Sequence, residues 1–77
     1  MKSFYDLPYE EPQVGDIVGF LHGLGIEMGI VKEVGKRKCL VAGVWGERLV
    51  NKIHLRKITD EKRKALVMRQ LKEWGVI

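Results

Sequence analysis

The sequence predicts a small, mainly β domain of five short strands, arranged as a small barrel and closed by one C-terminal helix. Two observations lead to this prediction. Short apolar runs recur about every 8–12 residues between Val14 and Ile58, separated by glycine-containing turns, as in small barrels and sandwiches. After Thr59 the pattern changes to the period of an amphipathic helix. The 77 residues suffice for one domain with a thin core.

The predicted strands follow one another with little linker between them. The chain divides into an extended N-terminal arm (residues 1–13), the barrel (14–58) and the helix (59–75). The strands are expected at VGDIVGFL, IEMGIVKEV, CLVAGVW and ERLVNKI, with HLRKI as a short fifth strand or a 3₁₀ turn. His22–Gly25 and Gly35–Lys38 are expected as turns. Gly29 and Gly43 interrupt strand patterns, which predicts a bulge or bend at each.

The C-terminal segment TDEKRKALVMRQLKEWG has the start and stop signals of a helix. Thr59 is the expected N-cap, acidic residues follow it in the first turn, and Gly75 is the expected stop. The apolar residues fall on one helical face, which is therefore expected to pack on the barrel. That face comprises Leu66, Val67, Met68, Leu71 and Trp74.

Composition excludes several classes of protein. Hydrophobic residues make up 45% of the chain, too many for a disordered segment. Cys39 is the single cysteine, so no internal disulfide can form, and a cytoplasmic location is expected because small secreted domains usually need such bonds. The sequence contains neither an apolar run of about 20 residues nor a signal-peptide core, so no membrane association is expected.

Side chains that carry chemistry are scarce. Cys39 lies in a predicted strand, where a structural thiol is the simpler interpretation, and only His22 and His54 are available as bases. The spacing of these three residues does not suit a zinc site. The chain is therefore expected to be no enzyme and to hold no cofactor or metal.

Charge is distributed unevenly along the chain. Residues 1–33 contain two lysines against six acidic residues, a net charge of −4, whereas residues 34–77 contain twelve basic residues against four acidic ones, a net charge of +8. Such asymmetry can mark a face that binds nucleic acid or a membrane surface, although basic side chains also simply solvate a surface.

The basic residues of the third and fourth strands form the candidate binding site. If the hairpin curls, these side chains share one face and contact phosphates. Trp45 has two interpretations: core packing, the commoner role and the primary expectation, or a base-stacking surface beside the cations. The candidate nucleic-acid-binding residues are Lys36, Arg37, Lys38, Trp45, Arg48, Lys52, Arg56 and Lys57.

The segment from Val14 to Ile58 resembles the SH3-like small barrels, including KOW-type modules. The resemblance is carried by Val14-Gly15-Asp16-Ile17-Val18, then a loop, then Gly29-Ile30-Val31-Lys32-Glu33-Val34. It implies a five-stranded SH3-like barrel, similar to those appended to exoribonucleases and ribosomal proteins, where such a domain commonly holds RNA. Tudor-like barrels of the same superfamily instead hold methylated side chains in an aromatic cage. Here such a cage would combine Phe20 and Trp45 with Tyr5 or Tyr9.

Two functions are therefore expected as alternatives. The first is a non-enzymatic nucleic-acid-binding module, with RNA favoured over DNA. The second is a protein-interaction or assembly module, in which the aromatic arm (Phe4, Tyr5 and Tyr9) or the helix face (Leu66, Leu71 and Trp74) docks on a partner. A third interpretation is that the chain is one domain of a larger protein, whose function lies elsewhere.

Overall fold

The computed structural model describes residues 8–77 and contains five strands and one helix, as the sequence predicts. The elements are β1 Ile17–His22, β2 Gly25–Val34, β3 Lys38–Gly43, β4 Gly46–Asn51, a 3₁₀ turn Lys52–His54, β5 Arg56–Lys57 and α1 Glu61–Glu73. The segment HLRKI thus contributes to both predicted forms, the 3₁₀ turn and a two-residue strand. No helix within the described residues is both long and apolar enough to cross a membrane.

All five strands form one antiparallel sheet in the order β4-β3-β2-β1-β5. The first four strands follow as a meander, because the turns between them are short. After the 3₁₀ turn the chain returns so that β5 pairs with β1, through Arg56 opposite Gly19 and Lys57 opposite Val18. Strands β4 and β5 are the two edges, and the sheet is not closed.

The two faces of the sheet bury separate apolar clusters. One cluster comprises Val18, Phe20, Val31, Cys39, Val41 and Leu55. The other comprises Ile17, Ile58, Val67 and Leu71, with Met28 and Ile30 packed against it. Successive side chains of a strand point to opposite faces, so Ile17 lies on the helix side and Val18 on the other. We call these the helix face and the inner face.

Helix α1 begins and ends with capping contacts. Asp60, and not the predicted Thr59, is the N-cap: its Oδ1 accepts a hydrogen bond of 3.0 Å from the backbone N–H of Lys62. At the other end Gly75 has a φ of 72°, and the N–H of Val76 donates to the carbonyl of Leu71 at 2.8 Å. Gly75 therefore stops the helix as predicted, because glycine adopts this left-handed conformation without steric cost.

The predicted apolar stripe of α1 is only partly buried. Val67 and Leu71 are buried and Met68 packs against them. Trp74, in contrast, is 69% exposed, so the prediction that it packs in the core is wrong. The helix ends at Glu73, and Trp74 is its C-cap, with φ −91° and ψ 3°. Trp74 therefore lies just beyond the last residue of the helix, immediately before Gly75.

The one irregularity in pairing lies between Val31 and Glu33 of β2. Pairing with β1 continues through Gly29, which lies opposite Val18, so of the two forms predicted there, a bulge or a bend, the bulge is absent. Gly29 is needed for a different reason: a Cβ at this position would lie 2.5 Å from the carbonyl oxygen of Ala42. Gly43 ends β3 in a pair with Gly46, so the predicted third strand stops before Val44 and Trp45, which form the turn.

Candidate nucleic-acid interface

Ion pairs between the two halves of the chain neutralise part of the charge asymmetry of the sequence. Four ion pairs within residues 8–77 join an acidic residue of positions 10–27 to a basic residue of positions 48–57. They are Arg48–Glu27 (3.1 Å), Lys52–Glu11 (2.6 Å), Lys57–Asp16 (3.2 Å) and Lys57–Glu10 (3.8 Å). Three of the seven residues predicted to contact phosphates are therefore already paired with carboxylates.

Three more of the predicted phosphate contacts lie together at the turn between β2 and β3. Lys36, Arg37 and Lys38 are all exposed, and none forms an ion pair with the described part of the chain. The turn is fixed at both sides. The N–H of Gly35 donates to the carbonyl of Lys38 at 2.8 Å, and the N–H of Lys52 donates to the carbonyl of Arg37 at 2.9 Å. We call Lys36, Arg37 and Lys38 the basic turn.

A groove of about 410 Å³ begins beside the basic turn. It is lined by Tyr9, Glu11, Lys36, Arg37, Asn51, Lys52 and Ile53. The groove forms because Lys52 is hydrogen-bonded to the turn and because residues 9–11 lie against the 3₁₀ turn through the Lys52–Glu11 pair. It combines two exposed cations, an aromatic ring and a side-chain amide, and we call it the Tyr9 groove.

The Lys52–Glu11 pair sets the electrostatics of the Tyr9 groove. The Lys52 ammonium donates to Glu11 Oε1 at 2.6 Å, which lowers the pKa of the Glu11 carboxyl and raises the pKa of Lys52. The hydroxyl of Tyr9 donates to Glu11 Oε2 at 3.2 Å. The pKa of Tyr9 is raised, first by desolvation and then by this bond. All three groups therefore keep their ordinary charge at neutral pH, and Glu11 offsets the charge of Lys52.

Arg56 orients the ring of Tyr9. Its guanidinium lies 5.6 Å from the centroid of that ring, within range of a cation–π interaction. The same guanidinium donates to the carbonyls of Ile53 at 2.7 Å and Leu55 at 2.8 Å, so it is held by the 3₁₀ turn. Arg56 therefore supports one wall of the groove.

Trp45 and Arg48 lie at the other end of the sheet. They line a separate groove of about 350 Å³ with His22, Gly25, Ile26 and Glu27. Strand β3 runs between the two grooves, and six residues of strand span about 20 Å. Trp45 is 79% exposed, so the primary expectation of core packing is wrong, and it does not lie beside the basic turn.

Arg48 is engaged on the inner face. Its Nε lies 3.1 Å from Glu27 Oε2, and both atoms are buried, although their alignment is not that of a hydrogen bond. The contact is therefore an electrostatic one, and it neutralises a carboxylate that is otherwise nearly enclosed. Arg48 and Lys57 are thus structural partners of acidic residues, and the eight predicted residues do not form one continuous face.

The groove contains residues that the sequence pattern did not assign to a nucleic-acid site. The sequence predicts Asn51 only as part of a strand and Tyr9 only as part of a docking arm or an aromatic cage, whereas both line the groove. Tyr9 is separated from Arg56 by 47 positions in the chain, so only the return of β5 to β1 brings them together. The sequence offers one signal for this groove, the charge asymmetry between its two halves. Glu10 and Glu11 belong to the acidic half and form ion pairs with Lys57 and Lys52 of the basic half.

The groups considered for catalysis are not assembled into a site. Cys39 is buried, and burial raises the pKa of its thiol, so it stays protonated. His22 and His54 both line an open groove between β1 and β4, and the buried Cys39 is not part of its lining. Residues 8–77 contain no cluster of three or more His, Cys, Asp or Glu side chains suited to a metal ion.

The aromatic cage implied by the resemblance is also not assembled. Phe20 is buried in the inner cluster, Tyr9 lies in the groove at the opposite end from Trp45, and Tyr5 lies outside the described residues, as does Phe4. Comparison with known proteins found no matching family model and no significant match among curated proteins or solved structures. The function is therefore argued from this chain's own residues.

Proposed function

We propose that this chain is a non-enzymatic nucleic-acid-binding module that binds single-stranded RNA at the basic turn and the Tyr9 groove. One observation carries the proposal. Three consecutive cations, Lys36, Arg37 and Lys38, are exposed without a carboxylate partner in residues 8–77, directly beside a groove with an aromatic wall. Positive charge next to an exposed aromatic ring is how proteins bind single strands without strong sequence preference.

The proposed chemistry separates phosphate contacts from base contacts. Lys36, Arg37 and Lys38 neutralise phosphates, and Arg37 also offers a planar group for bidentate bonds. The ring of Tyr9, 44% exposed and positioned by Arg56, stacks on a base. The side-chain amide of Asn51, which lines the groove, hydrogen-bonds a base edge or a ribose hydroxyl in this proposal, and the ribose contact favours RNA over DNA. Trp45 has no part in this site.

We also propose that the sheet is a barrel of the SH3-like kind. The strand order supports this, because a four-strand meander followed by a 3₁₀ turn brings β5 back to β1. Strong curvature supports it as well, since β1 and β4 are not neighbours in the sheet and yet line one groove of about 520 Å³. Leu55, buried after the 3₁₀ turn, packs into the inner cluster between them.

The proposal is tested by fluorescence anisotropy of a labelled single-stranded RNA at about 50 and about 200 mM salt. We expect binding at the lower salt that weakens steeply at the higher salt. The variant R37E/K38E should weaken binding at least about tenfold at the lower salt, since it removes two phosphate contacts and adds repulsion. A DNA of the same sequence shows whether ribose hydroxyls contribute.

The matched control is K62E/R63E on helix α1, where both residues are exposed and the change in net charge is the same. It should weaken binding less than about threefold, because long-range attraction alone is largely screened. If both double variants lose the same affinity, the charge acts without a site and the proposal is wrong. No binding of wild-type protein at low salt contradicts it directly.

A protein-interaction module is the second candidate, favoured by exposed apolar residues on α1. Leu66 and Trp74 are both exposed, whereas Leu71 is buried in the core and cannot dock. This candidate predicts that RNA binding is absent. It also predicts that Trp74 fluorescence shifts to shorter wavelength when a partner is added, which a W45F variant makes measurable.

A further inference from the structure

The two edges of the sheet are treated differently. The β5 edge is covered by the segment from Tyr9 to Asp16, through the contact of Tyr9 with Arg56 and the ion pairs of Lys57 with Glu10 and Asp16. The β4 edge has no such cover: within residues 8–77, the backbone of Gly46–Asn51 pairs only with β3. Every second residue of β4 therefore directs an N–H and a C=O away from the sheet.

Strand β4 also lacks the features that usually keep an edge from pairing. Its sequence, GERLVN, contains no proline and no lysine, and the sheet's one bulge lies in β2. Its only cation, Arg48, is neutralised by Glu27 on the inner face. At six residues, the strand has the length of an average paired strand.

We propose that β4 pairs with β4 of a second copy of this chain, antiparallel and about a two-fold axis at Leu49. The result is a continuous sheet across a symmetric dimer, in which the unpaired edge groups of both copies bond to each other. This inference does not rest on the proposed RNA site, but the two share Asn51, which belongs to β4 and lines the Tyr9 groove.

Face and charge together select this register. A two-fold axis perpendicular to the sheet keeps the helix face on the same side in both copies. Residues paired across such an axis point to the same face, so at the axis one residue of β4 lies opposite the same residue of the second copy. An axis at Glu47 or Arg48 sets like charges opposite each other, and an axis at Val50 sets Arg48 opposite Lys52 of the second copy. Like charges in opposite positions are destabilising.

An axis at Leu49 avoids these conflicts. Glu47 then faces Asn51 of the second copy, and Arg48 faces Val50. Leu49 faces itself and loses the water contact that leaves it 68% exposed in the single chain. Just beyond the two ends of β4, Trp45 in the β3–β4 turn and Ile53 in the 3₁₀ turn are further exposed large apolar residues. A specific interface buries about 1,200–2,000 Å², and these flanking side chains extend the contact beyond the strand pair.

A second copy fits this edge better than a flexible peptide does. Its β4 is already extended and held in a sheet, so little conformational entropy is lost on pairing. In addition, β4 paired with β4 of a second copy has a register in which no like charges lie opposite each other. A foreign peptide bound at this edge is the other outcome that the test distinguishes.

Sedimentation equilibrium of the full chain tests the proposal between roughly 10 μM and roughly 1 mM. We expect the mean mass to rise with concentration from 8.9 kDa towards twice that value. The variant L49K should weaken dimerisation at least about tenfold, because two ammonium groups then meet at the axis. The control L66K changes an exposed leucine on α1 in the same way and should dimerise like the wild type.

Cysteine cross-linking checks the register separately. L49C should form a disulfide-linked dimer under mild oxidation, while L66C should not, and the native Cys39 is buried and does not compete. A wild-type protein that remains at 8.9 kDa over the whole range overturns the proposal and leaves the edge to a foreign peptide. A dimer that L49K leaves intact overturns it as well, since another surface then holds the copies together.

Discussion

Gly29 shows how a single residue sets the spacing of neighbouring strands. A Cβ at this position would lie 2.5 Å from the carbonyl oxygen of Ala42 and 2.9 Å from Cγ1 of Val41. We therefore expect Gly29→Ala to lower the free energy of unfolding by about 1–3 kcal/mol, because β2 and β3 must move apart. Urea denaturation measures this directly.

Gly25 provides the control for that substitution within the same strand. A Cβ there meets nothing within 4 Å, and its φ is not positive. Gly25→Ala should leave stability unchanged or raise it by up to about 1 kcal/mol, since alanine loses less backbone entropy on folding. Equal losses in both variants would show that the close approach at Gly29 is not the cause.

Tyr9 and Trp45 allow the stacking surface to be located. Tyr9→Ala should weaken RNA binding by about 1–3 kcal/mol, and Tyr9→Phe should retain most of the affinity because the ring remains. Trp45→Ala should leave the affinity unchanged, since Trp45 lies at the far end of the sheet. The opposite result in an anisotropy titration would move the base-binding surface to the Trp45 groove.

The Glu11–Lys52 pair predicts a defined pH dependence. The pKa of Glu11 is lowered by the hydrogen bond from Lys52, and the pKa of Lys52 is raised by the same bond. The pair therefore stabilises the fold between the ordinary values of 4.5 and 10.5. Its contribution is lost as the pH falls through the lowered pKa of Glu11 or rises through the raised pKa of Lys52.

The variant Glu11→Gln tests this dependence by thermal unfolding. Its Tm should be lower than that of the wild type at neutral pH, and the difference should disappear in acid, where wild-type Glu11 is protonated. A Tm difference that does not change with pH would show that the ion pair is not its source.

At the scale of elements, helix α1 contributes to stability through one narrow stripe. Leu71 is buried against Ile17 and Ile58, whereas Leu66 on the same helix is 55% exposed. Leu71→Ala should lower the free energy of unfolding by about 2–5 kcal/mol, and Leu66→Ala should change it by less than about 0.5 kcal/mol. Similar losses in chemical denaturation would mean that α1 packs through a wider face.

Most elements were predictable because their signals are local. Alternating apolar residues and glycine turns located four strands, and the helical period located α1. The errors arise where neighbouring residues compete. Asp60 replaces Thr59 as N-cap because its carboxylate accepts from the N–H of Lys62, and Trp74 leaves the apolar stripe because Gly75 ends the helix just after it.

At the scale of the whole molecule, the candidate site was only partly predictable. The basic turn is visible in three consecutive residues, Lys36 to Lys38. Arg48, Lys52 and Lys57 are paired with carboxylates that are distant in sequence, and this decides whether they are free to bind phosphate. Glu11, for example, lies 41 positions before its partner Lys52. Ion pairs of this kind follow from the strand topology. A count of charges along the sequence does not show which basic residues are paired with carboxylates and which are free to bind an anion.

The same division of charge bears on how the chain folds. Each ion pair between the halves links residues 21 or more positions apart, and β1 with β5 closes a similarly long loop. In the unfolded chain an N-terminal half of net charge −4 attracts a C-terminal half of +8. Low ionic strength therefore contracts the denatured ensemble and shortens the search for the slowest contact. Stopped-flow refolding should slow as salt screens this attraction, so the charge pattern acts on folding kinetics before any native pair exists.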